Sequence, residues 1–218
     1  MKFYPLFFLL FFASCAPRAH ERPHTSSWRA QPIKIAIDAG HGGHDSGSKL
    51  IIAPYTQEKM LTLQTAKAVD DLLTNWGYDT FLTRQKDIFV PLQQRSLLAR
   101  KNHCTLFVSI HYNSTPKPTK ASGVEVYYYT RTNPHRSKAS KTLASSIANR
   151  VSYVSKNTSR GVKPGDFAVI RETNIPAVLV EVEFLSNPNE AKKLSNKNYI
   201  ELLSWAIAKG VEDHIRNR

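Results

Sequence analysis

Two histidines and a pair of glutamates stand where an α/β protein places its chemistry. His41 follows the β-branched stretch at residues 33–38 and sits among Gly40, Gly42, Gly43 and Gly47, while His111 follows an unbroken apolar run at residues 106–110. Imidazoles at strand ends project into the cleft beyond the carboxyl edge of a sheet, where α/β proteins bind ligands, and two of them could converge on one point. Glu181, with Glu183 two residues on, follows Ala177-Val178-Leu179-Val180. A carboxylate in so apolar a run is costly to bury unless it holds a metal or moves a proton. Each group also has a bland explanation. Either histidine could be a hydrogen-bonded core residue, and Glu58, in the first turn of a helix, is favoured there by the helix dipole.

These residues need elements to carry them. Residues 33–38 alternate as a strand that runs into the glycine-rich turn. From 56 to 76, Leu61, Ala68 and Leu72 recur at three- and four-residue spacing beside Ala66, Val69 and Leu73, and Gly77 follows as a stop signal, so this is a long amphipathic helix. A short strand is expected at 79–83, a helix at 92–101 and a buried strand at 106–110. Residues 123–130 (GVEVYYYT) alternate as a strand, 137–153 read as a helix, and 177–182 form another buried strand. A last helix carries Ile200, Leu203, Ile207, Val211 and Ile215 on one face. Strands separated by helices predict one α/β domain over residues 33–218, with a mixed, mostly parallel sheet covered by helices on both faces. By strand alternation Glu181 and Glu183 share a side, so spacing alone does not choose between them. His44 and Asp45 in the glycine turn could support the site residues from behind or simply be solvated, and the solvated reading is the simpler.

The leader bounds the setting. Residues 1–14 (MKFYPLFFLLFFAS) combine Lys2 with an apolar run much shorter than the roughly 20 residues that span a bilayer, which is the pattern of a signal peptide. The segment ending Ala13-Ser14-Cys15 resembles the lipobox of bacterial lipoproteins, which implies cleavage before Cys15 and lipid on its thiol. Residues 15–32, with Pro17, Pro23 and Pro32 and no apolar period, then form a flexible tether reaching about 20 to 25 Å root-mean-square. The chain is thus expected outside the cytoplasm, in the periplasm and tethered to a membrane, and Ala16 after the cysteine favours the outer one. Cys104 is left without an internal partner and reads as a small buried hydrophobe. The formal charge of +13 calls for an acidic partner. No basic run interleaved with aromatics marks a nucleic-acid module, so a carboxylate-bearing wall polymer or an anionic lipid surface fits better.

Taken in order, four segments resemble the motifs of the amidase 3 family of N-acetylmuramoyl-L-alanine amidases. They are residues 38–47 (DAGHGGHDSG), Glu58, residues 109–114 (SIHYNS) and residues 175–188 (IPAVLVEVEFLSNP). Supporting matches are Leu82-Thr83-Arg84, residues 92–95 leading into 99–102, residues 122–127 and residues 167–171. The resemblance spans residues 33 to 214 and implies that His41, Glu58 and His111 ligate one zinc ion per chain and that Glu181 is the catalytic carboxylate. It implies hydrolysis of the amide bond between N-acetylmuramic acid and L-alanine in peptidoglycan, for wall remodelling and daughter-cell separation, and the enzyme is expected to be monomeric. Three nitrogen and oxygen ligands leave a fourth position open, as catalytic zinc sites do. Asn113 and Arg171 are candidate substrate contacts. Two departures stand out: Glu183 occupies a place where the family usually has a small or uncharged residue, and only residues 131–136 fill the interval where some members insert a helix that plugs the zinc site.

Two other readings remain. A penicillin-sensitive serine carboxypeptidase acting on stem peptides would use a Ser-x-x-Lys motif, and Ser46/Lys49 and Ser114/Lys117 match it, as Ser155-Lys156-Asn157 loosely matches a second motif. The third element is missing its glycine, since Lys141-Thr142 is followed by Leu143. A non-catalytic wall-binding lipoprotein would be expected to have lost one of the four site residues, and all four are present.

Overall fold

A computed structural model of the chain describes Met1 and residues 32–49 and 57–218. Cys15, and with it nearly all of the expected leader and tether, lies outside the described residues. Among those described, no helix is long and apolar enough to cross a membrane.

Six strands and six helices follow one another in the unit Pro32–Arg218. They are β1 Lys34–Ala39, α1 Glu58–Asn75, β2 Asp79–Leu82, α2 Leu92–Lys101, β3 Leu106–Asn113, β4 Glu125–Tyr128, α3 Pro134–Ser155, β5 Val162–Pro164, α4 Ala168–Arg171, β6 Ala177–Phe184, α5 Pro188–Leu194 and α6 Lys197–Arg216. The strands form one sheet in the order β2-β1-β3-β6-β4-β5. Every neighbouring pair is parallel except β4 with β6, which makes the sheet mixed and mostly parallel as expected.

The two faces of the sheet are covered unequally. Ile35, Ile37, Val108, Ile110, Val178, Val180 and Val182 point into the larger core, which α1, α3 and α6 close with Leu61, Val69, Leu143, Ile147, Leu203 and Ile207. Burying an aliphatic side chain of this size contributes about 1.5–3 kcal/mol, so the stripe of α6 alone is a major part of what holds the domain together. The alternate residues Ala36, Phe107, Ala177 and Leu179 face a smaller cluster under α2 and α4, which includes Cys104. That thiol is buried and free, and burial pushes it up to about 11, in keeping with an inert hydrophobe.

Helix starts are written in the sequence by asparagine followed by proline. Asn133 and Asn187 cap α3 and α5 through their side-chain oxygens, with Pro134 and Pro188 at the first helical position, where the missing N–H has no partner to lose. Three short elements were not expected from periodicity: β5, α4 and α5 have three, four and seven residues, too few to display a period.

One irregularity decides where the two neighbouring glutamates go. Along the β3 and β6 pair, His111 is opposite Glu181 but Asn113 is opposite Phe184, so the single residue Tyr112 of β3 faces two residues, Val182 and Glu183, of β6. This β-bulge breaks the alternation that places Glu181 and Glu183 on one side. Glu181 stays with the row of the smaller cluster, whereas Glu183 turns to Tyr199 of α6 and Asn157 beyond α3.

Candidate metal centre and active site

The carboxyl ends of β1 and β3 and the first residue of α1 meet at one point. His41 Nε2 lies 3.0 Å from Glu58 Oε1, His111 Nδ1 lies 3.3 Å from the same oxygen, and the two ring nitrogens are 3.2 Å apart. All three ligand atoms lie within 4.8 Å of one another. Zinc–ligand bonds of about 2.0–2.2 Å in a tetrahedron separate neighbouring donors by roughly 3.3–3.5 Å, so this spacing fits a metal ion.

The backbone is shaped around these side chains. His41 adopts a left-handed conformation, φ 59°, which is uncommon for a residue with a Cβ and here turns the imidazole back toward β3. A Cβ on Gly40 would stand 2.3 Å from His111 Cε1, and one on Gly47 2.6 Å from Glu58 Oε2. Both glycines are therefore required by the ligand side chains themselves. Two buried arginines hold the turn: Arg84 donates to the carbonyls of Ala39, Gly40 and Lys59, and Arg95 donates to those of Val90, Ala39 and His41. Arg95 also pairs at 2.9 Å with the buried Asp38, whose other contacts are the hydroxyls of Thr83 and Ser109 at 2.6 and 2.7 Å. Burial raises the Asp38 carboxyl, but Arg95 and the two hydroxyls outweigh it and keep it below the usual carboxylate range.

Glu58 is fully committed. Its Oε1 accepts from the Tyr112 amide at 3.0 Å and its Oε2 from the Ser48 amide at 2.9 Å. Burial pushes this carboxyl up, yet hydrogen bonds to His111 and His41 overcome that and hold it well below the ordinary range. Asp45 is part-exposed but also supports the site: its Oδ2 is 2.9 Å from His41 Nδ1, which orients the ring from the side away from Glu58. A carboxylate behind a metal-binding histidine fixes its tautomer and strengthens it as a ligand. His44, by contrast, stacks on Phe89 with ring centroids 4.0 Å apart.

Glu181 lies beside this group, in register with His111 on one side and Glu125 on the other. Its Oε2 is buried with no hydrogen-bond partner among the described residues. Burial, reinforced by the charges of Glu58 and Glu125 and opposed by the histidines, pushes it up to about 7. Glu125 is the opposite case. Its Oε1 accepts from Arg160 Nε at 2.6 Å and Lys163 Nζ at 2.8 Å, and its Oε2 from Asn113 Nδ2 at 3.0 Å and Tyr127 OH at 2.6 Å. Burial raises it, but these donors bring it down to about 2, so it is a fixed negative charge.

The structure thus brings His41, Glu58, His111 and Glu181 together, and places Asn113 next to them on Glu125. Arg171 is ion-paired with Asp166 and Glu172 and makes no hydrogen bond to any of the four among the described residues. Neither Ser-x-x-Lys match forms a nucleophile and base pair: Ser46 Oγ donates to the Gly47 carbonyl and Ser114 Oγ to that of Thr115, both in loops. Glu125, Arg160, Arg84 and Arg95 are the residues that reasoning on spacing missed. Glu125, Arg84 and Arg95 lie in segments that carry the family resemblance, which was the only signal available for them, and Arg160 lies in none.

Comparison with known proteins agrees with this geometry. A family model described as N-acetylmuramoyl-L-alanine amidase matches residues 35–213. The sporulation-specific N-acetylmuramoyl-L-alanine amidase of Bacillus subtilis is 35% identical over 182 residues, 83% of this chain and 67% of that protein. The probable cell wall amidase LytH of Staphylococcus saprophyticus is 32% identical over 185 residues, covering 84% of this chain and 59% of LytH. The crystal structure of the N-acetylmuramoyl-L-alanine amidase from Clostridium difficile 630 matches with a TM-score of 0.80 at 30% identity, over 87% of this chain and all of that one. With a His-Glu-His group at the strand ends, a buried glutamate oxygen without a partner beside it and a family match across nearly the whole folded unit, the chain belongs to the N-acetylmuramoyl-L-alanine amidase family, Amidase_3.

Proposed function

We propose that this domain hydrolyses the amide bond between the lactyl carbonyl of N-acetylmuramic acid and the amino group of L-alanine in peptidoglycan, with one zinc ion on His41, Glu58 and His111. The observation that carries the reading is Glu181: a buried carboxyl oxygen without a partner, beside three metal-type donors, with a pKa pushed up to about 7. Zinc supplies Lewis-acid polarisation of the scissile carbonyl and acidifies water. Glu181 takes the proton from the attacking water at its unpartnered Oε2 and delivers it to the departing L-alanine nitrogen. A carboxyl near 7 is matched to both transfers at neutral pH, because it is neither too weak to accept nor too reluctant to donate. Asp45 holds the His41 ring, and Arg84 and Arg95 keep the turn that carries it from relaxing.

The same reading makes the protein an exported, monomeric lipoprotein, cut before Cys15 and tethered by its lipid in the periplasm, at the outer membrane where there is one. It acts there in wall remodelling and daughter-cell separation. The site is open without a built-in plug, and this is supported by the short link from Tyr128 at the end of β4 to Pro134 at the start of α3. The test is hydrolysis of purified muropeptides, followed by mass spectrometry of the released stem, alongside zinc analysis. Glu181→Gln is expected to keep one zinc per chain and lose activity by roughly 10²- to 10⁴-fold. An active Glu181→Ala protein without bound zinc would overturn the assignment.

A further inference from the structure

Arg160 has more hydrogen-bonding capacity than its surroundings use. Its Nε is bonded to Glu125 Oε1 and its guanidinium lies 5.1 Å from the centroid of the Phe184 ring, two contacts that fix the plane of the fork. Its Nη1 and Nη2 donate to nothing among the described residues, and the side chain is 38% exposed. The guanidinium is therefore held at Nε and against Phe184 on a part-exposed side chain, with its two outer nitrogens uncommitted among the described residues.

Its position ties it to the reaction. Glu125, which anchors it, is the antiparallel partner of Glu181, and residues so paired have Cα atoms about 4.5–5.5 Å apart. Arg160 and Lys163 both lie on one oxygen of Glu125, and Asn113 and Tyr127 fill the other, so the carboxylate that anchors Arg160 is itself fixed from four sides.

A stem peptide brings a group of the matching kind. When its second residue is D-glutamate joined onward through the γ-carboxyl, the α-carboxylate is free, and it lies within about two residues, at most roughly 7 Å of chain, of the nitrogen released by hydrolysis. A guanidinium with two parallel N–H groups recognises a carboxylate in bidentate fashion, and amidation to D-isoglutamine replaces the charge and places an NH₂ against the fork.

Resting on the amidase reading, we propose that Arg160 is a substrate-binding residue that takes the free α-carboxylate of the second stem residue, so that the enzyme prefers stems carrying D-glutamate over stems carrying D-isoglutamine. Arg160 meets this group alike before and during the reaction, so the preference falls on KM rather than kcat.

The test uses the zinc-loaded protein and two disaccharide-linked tripeptide stems that differ only in this carboxyl or carboxamide. Wild type is expected to favour the acid by roughly ten- to a hundredfold in kcat/KM, the range for a charged hydrogen bond. Arg160→Gln should bring the ratio close to one, chiefly by raising KM for the acid, and Arg160→Lys should retain an intermediate ratio. Should Arg160→Gln fail to fold, the lysine variant carries the comparison by itself. Equal turnover of both stems by wild type, or a ratio unchanged in the variants, would overturn the assignment of Arg160 while leaving the amidase reading intact. Zinc-loaded wild type that cleaves neither stem would overturn the amidase reading, and this proposal with it.

Discussion

Glu183 should make the domain less stable as pH rises, and replacing it should remove that loss. The side chain is fully buried, Oε1 accepts from Asn157 Nδ2 at 2.8 Å and Tyr199 OH at 2.5 Å, and Oε2 has no partner among the described residues. Burial pushes the carboxyl up to about 8, the nearby Glu190 adds to this, and Tyr199, Lys193 and Asn157 only partly offset it. Unfolded, the group titrates near its ordinary 4.5. Between these values the folded state holds a proton that the unfolded state releases, so stability is highest below about pH 4.5 and falls until about pH 8. At 1.36 kcal/mol per pH unit the whole loss is on the order of 4–5 kcal/mol, a large share of the roughly 5–15 kcal/mol of a typical domain. Glu183→Gln keeps the shape and the accepting oxygen but cannot ionise. Urea denaturation of both zinc-loaded proteins at pH 5, 6, 7 and 8 should show the glutamine variant gaining on wild type by about 4 kcal/mol across the series. Glu181 and Glu190 are present in both proteins, so their titration largely cancels in the difference. Parallel stability profiles from pH 5 to 8 would refute the reasoning, since they would mean that Glu183 is ionised in the fold or is not desolvated.

Two further outcomes follow from the site. Asp45→Ala frees the far side of the His41 ring and should weaken zinc binding by about ten- to a hundredfold, read by competition with a chromogenic chelator. Asp38→Ala leaves Arg95 buried without its ion pair and strips the Thr83 and Ser109 hydroxyls of their acceptor, so it should destabilise the domain by about 3–5 kcal/mol in urea denaturation.

The sequence made the positions of the four chemical residues visible because three of them end or follow apolar strands. The runs at 106–110 and 177–182 leave little other than a buried strand as an explanation, and the structure extends both by two or three residues. What spacing could not supply was convergence. That β1, β3 and β6 are neighbours, and that α1 returns its first residue to their carboxyl ends, depends on pairings between segments far apart in the chain. The roles of Arg84 and Arg95 were hidden for the same reason. A buried arginine is recognised by the carbonyls around it, and theirs lie more than forty residues away for the turn they hold. For Asp45 the sequence left a supporting role and simple solvation both open, because a polar residue in a glycine-rich loop is usually solvated and the contact with the His41 ring depends on the turn at that residue.

The β6 bulge has a chemical consequence for Glu181. Had the alternation continued, Glu183 would stand about 7 Å along the same face, two residues of strand away, as a second buried carboxylate beside Glu58, Glu125 and Glu181. Like charges so close raise one another, and Glu181 already feels Glu58 and Glu125. A rise from 7 to 8 would cut the ionised fraction of Glu181 at neutral pH about fivefold, and with it, on the proposed mechanism, the share of molecules able to accept a proton from water. By turning Glu183 through the sheet to Tyr199 and Asn157, the bulge keeps that carboxyl away from the reacting face. The proton that Glu183 holds stabilises the far side of the fold at low pH, and Glu181 is left as the buried, unpartnered carboxyl beside the metal-type donors, as the proposed proton transfer requires.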